Sequence, residues 1–412
     1  MNLDTTFYDI HQMHMNGESC RAGVLAIEAT AQGRIERMQF RYNPEYLGNR
    51  LAAPISPLLP NLTEDTYSFP SDGHSFVGFI DDLLPDDWGK RIIARRLGKK
   101  HITNLTALNF IGGGASIGAN KVTSIGEKPN WSNGVSIGDA ETTIEALYNG
   151  DIDALNPDQL EAIHLVQGGS QVGGARPKML VIDKENSSCL IKPNLDTDKF
   201  DYAAAEWASL EVCRIAGIPT ADAYIYTLNK TIRSLMIKRF DISDDGGRYE
   251  LATINSLLKD PTTQCDALNY SYEDIADCIR KFSHQPKEDL DQLFGQLLIN
   301  QALSNTDDHL RNFSMMRTVR GWQLSPVYDV LPQQMHRGEH ACTFNNSGFL
   351  PILDDYANTG KKLGLRKNDC ESVAERVAGA LQQWPEILAS TGLINKSLEE
   401  LIITTQKGKP LK

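Results

Sequence analysis

Between Ser304 and Phe313 the chain reads SNTDDHLRNF, which crowds Asp307, Asp308, His309, Arg311 and Asn312 into six residues between apolar flanks. An Asp and an Asn five positions apart can aim one carboxylate at an incoming hydroxyl and one amide oxygen at a magnesium ion. Seventeen residues beyond Asn312, in LSPVYDVLP, Asp329 lies in an apolar, strand-like run. A carboxylate there needs a cation, and magnesium on a nucleotide is the natural one. Lys192 poses the mirror problem in CLIKP: its ammonium needs an anion, which Glu206, Glu211 or a nucleotide phosphate could supply, unless it snorkels to water at the strand end. Upstream, QGGSQVGGARPK runs from Gln167 to Lys178 with four glycines in seven residues. Such a loop lets backbone N–H groups approach phosphate, but it lacks the G-x-x-x-x-G-K-[ST] pattern and precedes a hairpin, so taken alone it reads as a turn.

Rival chemistries fail on their parts. A serine hydrolase of the G-x-S-x-G type lacks its elbow here. A zinc hydrolase wants clustered histidines, whereas His336 and His340 stand four apart without an H-E-x-x-H pattern and read as exposed polar residues. His309 reads as an orienting histidine, because Asp307 is the better placed base.

Three regions must position these groups. Up to about residue 100, RAGVLAIEA and RIERMQFRY alternate as half-buried strands. Phe76, Phe79, Ile80, Leu83 and Leu84 then recur at helical spacing, and a second helix starts after Pro-Asp-Asp. Glycine, asparagine and serine thicken from Gly112 to Asp158, with a short helix expected around Thr142 to Tyr148. The middle block predicts a hairpin (KMLVIDKENSSCLIKP), a helix (AAAEWASLEVCRIAG) and two more strands (YIYTLN and SLMIKRFD). Beyond about residue 250 helices dominate. Leu290, Leu293, Phe294, Leu297 and Leu298 form a stripe that docks one helix face into a core and ends at the polar knot. A further helix around ESVAERVAGALQQW closes the fold.

The 412 residues, at about 150 per domain, suggest roughly two to three domains. With 41% hydrophobic and 23% charged residues, neither a disordered chain nor a coiled-coil rod fits. A net charge of −12 argues against bulk binding to nucleic acid or anionic membranes. KRIIARRLGKK, Lys90 to Lys100, reads as a solvated helix stripe. Seven scattered cysteines without a CxxC pair argue for reduced thiols. With no signal-like start and no long apolar run, the reading is a cytoplasmic protein without a membrane segment.

Glycine-rich loop, strand Lys, helix Glu, D-x-H-x-x-N and a later Asp, in that order, are the inventory of a protein-kinase-type phosphoryl transferase, with YDV in place of D-F-G. The chain resembles the HipA family of bacterial serine/threonine kinases, the toxins of HipA–HipB toxin–antitoxin pairs. GVLAI, FRYNPEYL and FIDDLLPDDWGKRIIARR look like that family's N-terminal subdomain, and GGARPK, CLIKP, AEWASLEVCRIAGI, KRFD, NTDDHLRNFS and LSPVYDVLP look like its kinase core. The resemblance implies an α+β, protein-kinase-like bilobal fold with a β-rich N-lobe and a helical C-lobe, preceded by a small α+β subdomain. The expected divisions are 1–105 for the N-terminal subdomain, 106–150 for a connecting segment, 151–241 for the N-lobe and 242–412 for the C-lobe.

Carried over by motif, the resemblance implies that Asp307, assisted by His309, is the catalytic base and that Asn312 and Asp329 hold magnesium. Lys192 would hold the ATP phosphates. Val172, Gly173, Gly174, Ala175, Arg176 and Lys178 would cover the triphosphate, and the hinge beside adenine would run through Lys238 and Phe240. Family members often carry an autophosphorylated serine just before the glycine loop; Gln171 fills that slot here, which leaves Ser170 as the candidate. The implied substrate is a protein such as an aminoacyl-tRNA synthetase, whose phosphorylation arrests translation. The implied partner is a HipB-like helix-turn-helix antitoxin, with DNA engaged only through it. Two other readings stand: a non-catalytic, kinase-like nucleotide-binding regulator, and a small-molecule or lipid kinase.

Overall fold

The computed structural model describes residues 3–71, 76–85, 87–111, 117–149, 155–156, 159, 177–258, 270–333 and 339–393. The architecture is mixed α+β, as expected, and the chain forms two compact units: Met1–Leu190 with Arg239–Asp266 and Met316–Thr318, and Ile191–Lys238 with Ala267–Met315 and Val319–Lys412.

The first unit is built on strand alternation. β1 (Leu3–Met13), β2 (Ser19–Thr30), β3 (Ile35–Tyr42), β4 (Thr66–Pro70) and β5 (Asn120–Ser124) form one antiparallel sheet in the order β4-β3-β2-β1-β5. Leu25 and Ile27 on β2 and Met38 and Phe40 on β3 are fully covered while the residues between them reach solvent, the period-two pattern of a half-buried sheet. At Gly23 a Cβ would stand 2.4 Å from the Arg41 carbonyl oxygen and 2.6 Å from the Phe40 ring, so only glycine lets β2 and β3 close there. β1, unmarked by any clear apolar pattern, is made a strand by its pairing with β2, Tyr8 opposite Leu25.

Helices α1 (Asp87–Arg96), α2 (Asn104–Ile111) and α3 (Ile137–Tyr148) follow. In α1, Ile92, Ile93 and Ala94 are buried while Arg91, Arg95 and Arg96 are exposed, so the basic run is a solvated face. β6 (Val135–Ser136) pairs parallel with β7 (Met179–Ile182), and β7 with β8 (Ser188–Pro193, its last three residues in the second unit) is the expected hairpin. Among the described residues no helix is long and apolar enough to cross a membrane.

The chain continues through α4 (Tyr202–Ile215), β9 (Ala223–Leu228) and β10 (Ile232–Lys238) in the second unit, then β11 (Glu250–Thr253) in the first. On β11, buried Glu250 accepts hydrogen bonds from Gln12 Nε2 at 3.0 Å and Asn120 Nδ2 at 2.6 Å. Burial outweighs the nearby Arg317 charge and these donors, and pushes the carboxyl up to about 8. An unfolded glutamate ionises near 4.5, so the unfolded chain sheds this proton first. Stability is therefore expected to fall as pH rises from about 4.5 to about 8, by on the order of a few kcal/mol, and to level off above. Thermal unfolding across that window checks this; a slope that Glu250→Gln fails to flatten would place the titration elsewhere.

The second unit is completed by α5 (Tyr272–Phe282), α6 (Pro286–Ala302), β12 (Ser314–Thr318, its last three residues in the first unit), β13 (Gly321–Leu324), α7 (Tyr356–Lys362), α8 (Lys367–Gln382) and α9 (Trp384–Ser390). The expected one-sided stripe of α6 is corrected here. Leu290, Leu293, Phe294, Leu297 and Leu298 are buried, but so are Gln292, Gln296, Ile299 and Asn300, because α4, α5 and α8 pack around the helix. At Gly295 a Cβ would stand 2.6 Å from Ile218 Cδ1 and 3.4 Å from Val373 Cγ1, so a larger residue there would have to displace the Ile218 side chain.

Candidate active site

Strand alternation decides where Lys192 points. On β8, Cys189 and Ile191 are buried and Lys192 takes the opposite face. The strand's end is then tied to the start of α4: Asp201 caps the helix by accepting from Ala204 N–H at 2.9 Å, and Asn194 Nδ2 donates to the same carboxylate at 2.7 Å. Arg233 adds a 2.6 Å ion pair to Asp201. This brings Glu206, near the start of α4, within 2.7 Å of Lys192 Nζ, with Asp329 at 2.5 Å. Of the two glutamates that could have met the lysine, Glu206 does so, and Glu211 pairs with Arg214 at the surface. Burial pushes the Lys192 ammonium down, but the Asp329 and Glu206 charges and their hydrogen bonds outweigh it and hold it above the usual lysine range. Lys192 therefore supplies one cation beside Asp329. Asp329 sits at φ +59°, a left-handed conformation that Asn and Asp tolerate better than most residues and that clusters at functional sites.

The polar knot begins where α6 ends. Ser304 turns the chain at φ +55°, and Leu310–Asn312 closes it as a short 3₁₀ turn. Between them Asp308 is fully buried and accepts from Tyr272 Oη at 2.6 Å, His340 Nδ1 at 3.0 Å and the backbone N–H groups of Ala341 and Cys342 at 3.0 and 3.3 Å. Burial and the Asp308 charge keep the Tyr272 hydroxyl protonated, which makes it a donor. Asn300 Nδ2 donates to that hydroxyl at 2.9 Å, and Asn305 Nδ2 donates to Asn300 at 3.0 Å. The His340 side chain, read from the chain as exposed, is 4% exposed and belongs to this network.

The segment bearing Asp329 is fastened to the knot by its neighbour. Tyr328 Oη donates to the Arg311 carbonyl at 2.8 Å and meets Ser314 Oγ at 2.7 Å. Asn312 Nδ2 donates to the Asp307 carbonyl at 2.9 Å, while its Oδ1 is buried without a hydrogen-bond partner. A buried amide oxygen awaiting a partner and a carboxylate are the hard donors magnesium takes. Among the described residues no cluster of three or more His, Cys, Asp or Glu could hold a metal.

The remaining expected site residues lie as follows. Asp307 and His309 are half-buried on the knot. Lys178 is buried just before β7 in the first unit. Lys238 ends β10, its N–H donating to the Asp222 carbonyl at 2.7 Å, and Phe240 is half-buried two residues on. Val172, Gly173, Gly174, Ala175, Arg176 and Ser170 lie outside the described residues. Tyr272, Asp308, Tyr328 and His340 were assigned no role from the chain. Only the doubled aspartate of the knot hinted at one of them.

Two family profiles match the chain: a HipA-like C-terminal domain over residues 170–384 and a HipA N-terminal domain over residues 14–123. A Sinorhizobium fredii protein named "Putative kinase Y4mE" is 22% identical over 405 residues, covering 88% of this chain and 91% of its own. A Haemophilus influenzae protein designated in the same way, without the suffix, is 23% identical over 239 residues, 49% of this chain and 69% of its own. Among solved structures, HipA of Shewanella oneidensis MR-1, in a complex with HipB and operator DNA, superimposes with a TM-score of 0.69 at 17% identity, covering 97% of this chain and 95% of that one. The chain therefore has the HipA fold.

Proposed function

The chain belongs to the HipA family, and from that premise we propose that it is an ATP- and magnesium-dependent protein serine/threonine kinase. The observation that carries the reading is Lys192 held between Glu206 and Asp329, the lysine–glutamate pair and metal-binding aspartate that protein kinases require together. Asn312 and Asp329 would hold magnesium, which when bound would offset phosphate charge. Lys192 would hold the nucleotide phosphates, and the family motif assigns the loop from Val172 to Lys178 to cover them and the segment from Lys238 to Phe240 to the hinge beside adenine. Asp307 accepts the proton of the substrate hydroxyl, with His309 orienting the loop, and the rate comes from positioning and electrostatics.

The substrate class is a cytoplasmic protein such as an aminoacyl-tRNA synthetase, modified so that translation and growth stop. The regulator is a HipB-like antitoxin, which brings the complex to DNA; the Shewanella protein's association with HipB and operator DNA supports this. Ser170 is the candidate for autophosphorylation. The test is incubation of the purified chain with γ-labelled ATP, magnesium and cell lysate, followed by identification of the labelled band. Magnesium-dependent label on a discrete protein is expected. ATP binding without transfer to any protein would overturn the catalytic reading in favour of a nucleotide-binding regulator, and label appearing only in small molecules or lipids would overturn the protein substrate.

A further inference from the structure

In kinases controlled by phosphorylation, the segment after the metal-binding aspartate is ordered by a phosphate that gathers cationic and N–H donors. Here that segment is held by a carboxylate already present. Asp308 takes four donors: two are the backbone N–H groups of Ala341 and Cys342 and a third is the His340 side chain, all in the segment that follows Asp329. The fourth, Tyr272 Oη, comes from α5. The Ala341 N–H is shared with the Thr306 carbonyl at 3.0 Å, and the Gln333 N–H donates to the Ser304 carbonyl at 3.0 Å. The segment is also stitched to the entry of α5, where the Thr343 N–H donates to Tyr270 and the Tyr272 N–H donates to Thr343.

A carboxylate with no solvent exposure is costly unless every lone pair is used, and charge-assisted bonds to it are about twice as strong as neutral ones. Such a contact is therefore rigid. Asp308 is also the next residue after Asp307, so whatever fixes its side chain fixes the backbone of the base.

We propose that Asp308 is a positioning residue that does constitutively what an activation-segment phosphate does elsewhere: it clamps residues 340–342 to the catalytic loop, so that the chain needs no phosphorylation of that segment to be competent. The proposal rests on the kinase reading above. Its consequence is a kinase restrained by partners and not by the absence of a phosphate.

The experiment uses the full chain, phosphatase-treated and shown by mass spectrometry to carry no phosphate, with the variants His340→Leu and His340→Asn. Asn can place an amide N–H where Nδ1 now donates. Label transfer to the lysate substrate, KM for ATP and amide hydrogen exchange at Ala341 and Cys342 are measured for each. The unphosphorylated parent is expected to be fully active. His340→Leu is expected to lower the maximal rate by about tenfold or more while leaving KM for ATP unchanged, with faster exchange at Ala341 and Cys342, and His340→Asn to restore most of the rate. Asp308→Asn should act in the same direction more strongly, and the histidine variants keep the test informative if it does not fold. An active parent whose rate and exchange are indifferent to His340→Leu overturns the clamp, as does a parent silenced by phosphatase. A parent that transfers no phosphate at all overturns the kinase reading and the role with it.

Discussion

Lys192→Met is expected to remove stability as well as turnover. The lysine side chain is 15% exposed, and its Nζ is shared by two carboxylates, Glu206 at 6% and Asp329 at 26% exposure. Removing one member of a buried ion pair typically costs about 3–5 kcal/mol, because the charge left behind has no partner. Here two like charges remain. Phosphoryl transfer should fall by at least about 10²-fold, the usual effect of deleting one preorganised group at a developing charge. Denaturant unfolding separates the two losses: adding Glu206→Leu to Lys192→Met should recover much of the stability and none of the activity. If Lys192→Met unfolds at the parent's midpoint, the triad is screened by water and its tight geometry carries no energy. Because the folded pKa of Lys192 lies above its usual value of 10.5, the lysine's own titration leaves its contribution intact below that pH and removes it as pH rises through the folded value, so neutral conditions are a fair test.

Asp307→Asn and Asp329→Asn should each abolish measurable transfer by different routes. Loss of a general base lowers rates by about 10²–10⁴-fold, so Asp307→Asn should leave magnesium–ATP binding intact while the rate collapses. Asp329→Asn should weaken magnesium-dependent nucleotide binding itself, which calorimetry reads directly. Asparagine is the right replacement at 329 because it accepts the left-handed backbone found there. Either variant with the parent's rate would refute the assignment.

What could be read from the chain was whatever carries a local sign of cost. Lys192 and Asp329 each put a charge into an apolar run, and the structure resolves both costs by joining them. The choice between Glu206 and Glu211 was not readable, because it depends on which turn of α4 faces β8; Arg214, three residues after Glu211, takes the other carboxylate. The anchoring of the knot was hidden for a different reason. Tyr272 and His340 lie 36 and 32 positions from Asp308, and no periodicity links them until the chain has folded. β1 was hidden likewise, since its strand state comes from pairing with β2 and β5. The hairpin of β7 and β8, the helix α4 and the strands β2 and β3 declared themselves by alternation and helical spacing, because there the local preference and the tertiary environment agree.

The all-round burial of α6 also sets an order of events during synthesis. Among the described residues the last helix packed on it, α8, ends at Gln382, roughly 80 residues after α6 itself, which at about 5–20 residues per second is several seconds of translation. During that interval the nascent chain carries an apolar rod with an incomplete coat. The knot that α6 supports cannot harden until α8 has left the ribosome, so a polypeptide that ends before α8 should be caught by chaperones or proteases and never mature.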